Sequence, residues 1–189
     1  MAVTTLDPKS ALVVIDFQKG IVSRPAAHPI AAVLRQARDL AAAFRSHALP
    51  VVLVNVTGGA QGRTEQSRSL SNLPADWADL VPELDRQPQD HTVTKRTWGA
   101  FANTDLALYL HELNVTQVVI AGISTSIGVE STAREAYALG FNVTLAIDAM
   151  TDTSIEAHTN SLARIFPRLG ETGTTSEIIA LLNDRQQSQ

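Results

Sequence analysis

The chain has 189 residues, 44% of them hydrophobic and 18% charged, with a net charge of -4 and no cysteine. This length and balance fit one globular domain, spanning residues 1–189, that can bury a core. The negative charge argues against a nucleic-acid partner, and the lack of cysteine excludes disulfides, thiolate metal sites and thiol nucleophiles.

Apolar runs alternate with segments of helical period, which predicts an α/β fold. Residues 11–17 read as a first strand, rich in Val, Ile and Leu as a strand buried on both faces is. A helix follows from about Pro29, with Ile30, Val33, Leu34, Ala37, Ala41 and Phe44 on one face. Val51–Val56 is the second strand. Residues 57–90, with several Gly and Pro, form a long irregular segment holding at most a helical turn near 79–84. His91–Lys95 is a short third strand, and Leu106, Tyr109, Leu110 and Leu113 mark the next helix. Gln117–Ile123 is the fourth strand. A tight turn leads from it into a helix that begins at about Ser126, buries Val129, Thr132, Ala133 and Ala136, and stops near Gly140. Residues 142–148 are the fifth strand. A helix from about Ser154 carries Ile155, Leu162, Ile165 and Phe166 until Pro167 closes it. A short sixth strand near Gly173, a helix through 178–182 and a frayed polar tail from Asp184 complete the chain. The architecture expected is a three-layer α/β/α sandwich around a six-stranded, mostly parallel, Rossmann-like sheet.

In an open parallel sheet, ligands bind beyond the carboxyl ends of the strands, where the strand order reverses. Asp16 ends the first strand, Lys95 ends the third, and the turn 123–128 leaves the fourth. An acid, a base and a row of backbone donors therefore reach one edge. From position alone these residues read more plainly: Asp16 as a turn former, Lys95 as a surface charge beside Arg96, Gly128 as a packing glycine. Ser124, Thr125 and Ser126 lie nearby, but no histidine-activated pair is visible. His158 falls on the apolar face of its helix and reads as a packed, hydrogen-bonded core histidine. Within the irregular segment Arg63 and Arg68 could grip a carboxylate. Trp98 and Phe101 suit either a pocket wall or a subunit contact.

Three separated motifs carry a resemblance to a known family: Val13-Val14-Ile15-Asp16-Phe17-Gln18, then Thr94-Lys95-Arg96 with Phe101, then Gly122-Ile123-Ser124-Thr125 with Gly128-Val129-Glu130 and Thr132-Ala133. Over residues 11–175 the chain resembles the isochorismatase-like (cysteine hydrolase) superfamily, which includes nicotinamidases, N-carbamoylsarcosine amidases and isochorismatases. The resemblance implies the isochorismatase-like hydrolase fold and a small-molecule substrate. In amidase members a cysteine stands at the position of Gly128, flanked by the pair matching Asp16 and Lys95. There, backbone N–H groups matching Ser124 and Gly128 form an oxyanion hole, and a cis peptide falls at the bond matching Ile123–Ser124. Without that cysteine the thioester route is closed. Isochorismatases resemble this chain in carrying glycine at the same place, and there the aspartate matching Asp16 acts as a general acid on a vinyl ether carbon. Water then captures the oxocarbenium ion, releasing pyruvate and a diol.

Nicotinamidases carry an Asp-x-His motif after the second strand. Here that place reads Asn55-Val56-Thr57, with no histidine from 57 to 90, so no metal and no cofactor are expected. The resemblance implies a homodimer or homotetramer. Two other readings stay open: a hydrolase of another small amide or carboxylate that uses water aligned by Asp16, and a non-catalytic ligand-binding relative. No apolar run approaches the roughly 20 residues of a membrane span. Residues 1–9 lack the basic start and apolar core of a signal peptide. No membrane partner and a cytoplasmic location are the expectation.

Overall fold

A computed structural model describes residues 3–66 and 73–186. Among them six strands form one parallel sheet: β1 (Ser10–Ile15), β2 (Val51–Val56), β3 (His91–Lys95), β4 (Gln117–Ile123), β5 (Asn142–Thr151) and β6 (Glu171–Gly173). Their order across the sheet is β3-β2-β1-β4-β5-β6. The order reverses between β1 and β4, which pair directly from Ser10↔Gln117 to Ile15↔Gly122.

Every residue of β1 and β4 is buried, because helices cover both faces. Leu12 and Val14 point into a core shared with α2 (Ile30–Ser46) and α6 (Thr175–Gln186). Ala11, Val13 and Ile15 point into a second core with α3 (Leu106–Glu112) and α4 (Glu130–Ala138). The result is an α/β/α sandwich whose two cores follow from the period-2 alternation of buried strands. A buried, two-pronged ion pair joins the end of α2 to the start of β3: Arg45 Nε and Nη2 lie 3.0 and 2.7 Å from the two Asp90 carboxylate oxygens.

Several expectations shift. β5 runs on to Thr151, past an irregularity that moves its register against β4. It can do so because Asp148 is not a strand terminator; its carboxylate accepts from the Thr175 backbone N–H and hydroxyl at the start of α6. The α4 segment opens with a single π-helical turn, Thr125–Val129. A one-turn helix, α1 (Lys19–Val22), follows β1 where none was expected. Ile155 and Leu113, on the apolar faces read from the sequence, are 52% and 38% exposed, each at a helix end. In α5 (Ile155–Asn160) and the turns after it the buried residues are His158, Ser161 and, as expected, Phe166. Residues 184–186 belong to α6 rather than to a frayed tail. No helix among the described residues is long and apolar enough to cross a membrane.

Candidate active site

The seam between β1 and β4 sets the geometry. Gly122 has φ +135°, and a Cβ there would collide with the Ile15 carbonyl. A side-chain-free residue is therefore required for the two strand ends to approach so closely. Immediately beyond the seam, Asp16 turns into the left-handed region at φ 55°, a conformation that short polar residues tolerate. Its side chain is only 6% exposed.

Lys95 comes from the edge strand β3 and reaches across the end of β2. Its residue is 2% exposed, and its Nζ donates to Asp16 Oδ2 at 2.8 Å, to the Trp98 carbonyl at 2.9 Å and to the Thr97 carbonyl at 3.2 Å. All three ammonium protons are thus committed within the protein. Asp16 Oδ1, by contrast, is buried with no hydrogen-bond partner. Burial pushes the Asp16 carboxyl up to about 6 from its ordinary 3.8, against the Lys95 ammonium and its hydrogen bond, which pull it down. Burial outweighs the salt bridge.

The turn after β4 closes the site. The peptide bond between Ile123 and Ser124 is cis. The Ser124 carbonyl accepts from the N–H groups of Ile127 and Val129, each at 3.1 Å. A Cβ built on Gly128 would lie 3.0 Å from Ile15 Cγ2, 3.2 Å from Asp16 Oδ2 and 3.3 Å from the Ile123 carbonyl oxygen. Any side chain at residue 128 would therefore begin against the Asp16 carboxylate. The structure brings Asp16, Lys95 and the 123–128 turn together from three distant segments.

The other expected residues fare differently. Trp98 is 63% exposed, beside its own carbonyl's bond to Lys95. Phe101 is 8% exposed and stacked on Phe141 with ring centroids 5.8 Å apart. Arg63 is exposed on the segment after β2, and Arg68 lies outside the described residues. A hydroxyl–imidazole pair does exist, contrary to the sequence reading: Thr125 Oγ1 and His158 Nδ1 are 2.8 Å apart. Both residues are buried, with the His28 ring 4.6 Å from that of His158. Burial and the neighbouring His28 hold the His158 imidazole below its ordinary value.

The supporting contacts of Gln18, Trp77 and Asp152 escaped the sequence reading. Gln18 is fully buried; its amide exchanges hydrogen bonds with the backbone of Val56 at 2.8 and 3.1 Å and donates to the Trp77 carbonyl at 3.3 Å. The Trp77 ring packs against Gly20, where a Cβ would strike it. The Asp152 carboxylate accepts from the Ser126 N–H and hydroxyl, each at 2.8 Å, fixing the turn from the end of β5. No sequence signal pointed to Trp77, because the helical turn that holds Gly20 was itself not expected. Among the described residues no group of three or more His, Asp or Glu is arranged to hold a metal ion.

Residues 10–177 match the family model described as the isochorismatase domain. The chain belongs to the isochorismatase family. It is 44% identical over 181 residues to an uncharacterized isochorismatase family protein, YwoC, of Bacillus subtilis (strain 168), covering 90% of this chain and 93% of that one. It is 39% identical over 180 residues to YecD of Escherichia coli O157:H7, also an uncharacterized isochorismatase family protein, covering 92% and 96%. An isochorismatase family protein from Burkholderia thailandensis has the same fold, with a TM-score of 0.91, 41% identity and coverage of 95% and 98%. The matched span of the isochorismatase domain contains Asp16, Lys95 and the whole 123–128 turn.

Proposed function

We propose that this chain is a hydrolase of small carboxylate-bearing enol ethers, with isochorismate as the model substrate, and that Asp16 is its general acid. In this reading Gly128 stands at the position where amidase members of the family carry their nucleophile. The supporting observation is the Asp16 carboxyl: raised to about 6 by burial, with one oxygen on Lys95 and the other unpartnered. Since Oδ2 faces an ammonium, the acidic proton resides on Oδ1. From there it passes to the terminal carbon of the enol ether and forms a carbon–hydrogen bond. The resulting oxocarbenium ion takes up water at the ether-bearing carbon, with one water proton returning to Asp16. The hemiketal then collapses, breaking the carbon–oxygen bond to give pyruvate and the free alcohol. Lys95 stabilises the carboxylate that exists between proton loss and proton return. Its ammonium protons are all engaged, so it does not grip the substrate. Arg63 is the exposed cation assigned to the substrate carboxylate, and Trp98 the exposed ring beside the acid's partner.

The pH dependence tests this directly. The reactive form is the protonated acid, which predominates below about pH 6 and falls to roughly a tenth of molecules at pH 7. Pyruvate release from isochorismate, as kcat/KM, is expected to be level below about pH 6 and to fall about tenfold per pH unit above it. A rate that rises with pH through this range, or no pyruvate from folded protein, rejects the reading.

A further inference from the structure

Lys95 is held by carbonyls on a stretch that has no regular structure of its own. Residues 96–101 lie between β3 and α3, as bends rather than helix or strand. Two backbone donors in this stretch are taken up by side chains of α4. The Ala100 N–H donates to Thr132 Oγ1 at 3.2 Å, and the Phe101 N–H donates to Glu135 Oε2 at 2.9 Å. The Thr132 hydroxyl in turn donates to the Gly128 carbonyl at 2.7 Å. Residues 128, 132 and 135, spaced four and three apart, share one face of the helical segment. That face meets the loop. Gly99 makes the approach possible, because a Cβ there would collide with the Glu135 carboxylate. The loop is closed on its far side by Thr104 Oγ1, which donates to the Ala100 carbonyl at 2.6 Å.

We propose that Thr132 and Glu135 are positioning residues: by clamping residues 99–101 they fix the Thr97 and Trp98 carbonyls that hold Lys95 Nζ against Asp16. One helix face then couples the turn carrying Gly128 to the loop that sets the ammonium, so the two halves of the site are registered by α4. The assignment builds on the reading of Asp16 and Lys95 as the reactive pair, yet its test requires no substrate. Isotope-labelled aspartate carboxyl resonances are followed against pH by NMR, with Asp16→Asn identifying the Asp16 signal. Lys95 is the charged group that faces this carboxyl.

Glu135→Ala is expected to raise the Asp16 midpoint by about one pH unit, a tenfold change in acidity, because a loosened Lys95 favours the carboxylate less. Loss of a negative charge alone would move the midpoint the other way, so the sign separates positioning from simple charge. Glu135→Gln keeps an acceptor for the Phe101 N–H and is expected to stay near the wild-type midpoint. Thr132→Val is expected to move it upward as Glu135→Ala does. Should Glu135→Ala fail to fold, Gly99→Ala displaces the carboxylate from the loop side and is expected to raise the midpoint likewise. An unmoved or lowered midpoint in a folded variant, or equal shifts in Glu135→Ala and Glu135→Gln, overturns the proposal. Failure of pyruvate release leaves these midpoints unchanged, so the two readings fail separately.

Discussion

Asp16→Asn is expected to lower pyruvate release from isochorismate by about 10²- to 10⁴-fold, the usual contribution of a positioned general acid. The change removes the transferable proton and the charge that pairs with Lys95, but keeps the side chain's shape. Asparagine has nearly the shape of aspartate, and its Oδ1 still offers Lys95 an acceptor where the carboxylate now lies at 2.8 Å. It does leave the buried Lys95 ammonium without its counter-charge, held by the amide oxygen and the Thr97 and Trp98 carbonyls, so some stability is expected to be lost while the fold persists. Far-ultraviolet circular dichroism on the same sample checks that point. Turnover within tenfold of wild type in a folded Asp16→Asn protein would show that the proton comes from elsewhere. The Thr125–His158 pair would be the next place to look, although both of its side chains are buried.

Lys95→Met is expected to act on stability as well as on activity. The ammonium is buried with three acceptors, and removing one member of a buried pair leaves the other uncompensated. That typically destabilises a protein by about 3–5 kcal/mol. The loss depends on pH in a definite direction. Without Lys95 the two influences that lower the Asp16 carboxyl disappear, so its folded value rises above about 6 and further above the ordinary 3.8. A group with a raised folded value favours the native state at low pH and loses that contribution as pH rises through the folded value. Lys95→Met is therefore expected to be most destabilising at neutral and alkaline pH and closer to wild type at about pH 5. Urea unfolding of both proteins across that range measures it. A pH-independent difference would mean that the lost carbonyl contacts, rather than the stranded carboxylate, account for the effect.

The sheet and its two cores were legible because β1, β2 and β4 are continuous Val, Ile and Leu runs bounded by turn-forming residues. The meeting of Asp16 with Lys95 followed from the rule that parallel strands present their carboxyl ends together. The ionisation of Asp16 was not legible, since it depends on how deeply the carboxyl is buried relative to the hold of Lys95, and depth is a tertiary property. His158 read correctly as a packed and hydrogen-bonded histidine; its partner Thr125, 33 residues away in sequence, could not be named. The stacking of Phe101 on Phe141 was not legible either, since it joins residues far apart in the chain. Glu135 was invisible for a simpler reason. A carboxylate on a helix reads as solvated, and only Gly99, far away in the chain, hints that something must lie against it.

The acid and its partner are also mounted on parts of the sheet that differ in how readily they open. Asp16 follows β1, which lies between β2 and β4, whereas Lys95 ends β3, which among the described residues is an edge strand paired with β2 alone. Edge elements exchange their amide hydrogens through partial openings of low free energy, while central strands exchange only on global unfolding. Amides of β3 are accordingly expected to lose protection at lower denaturant concentration than those of β1 and β4. In the partly opened form the ammonium has left and the carboxyl remains in its place between the central strands. The site would then lose its charge balance before the protein loses its fold.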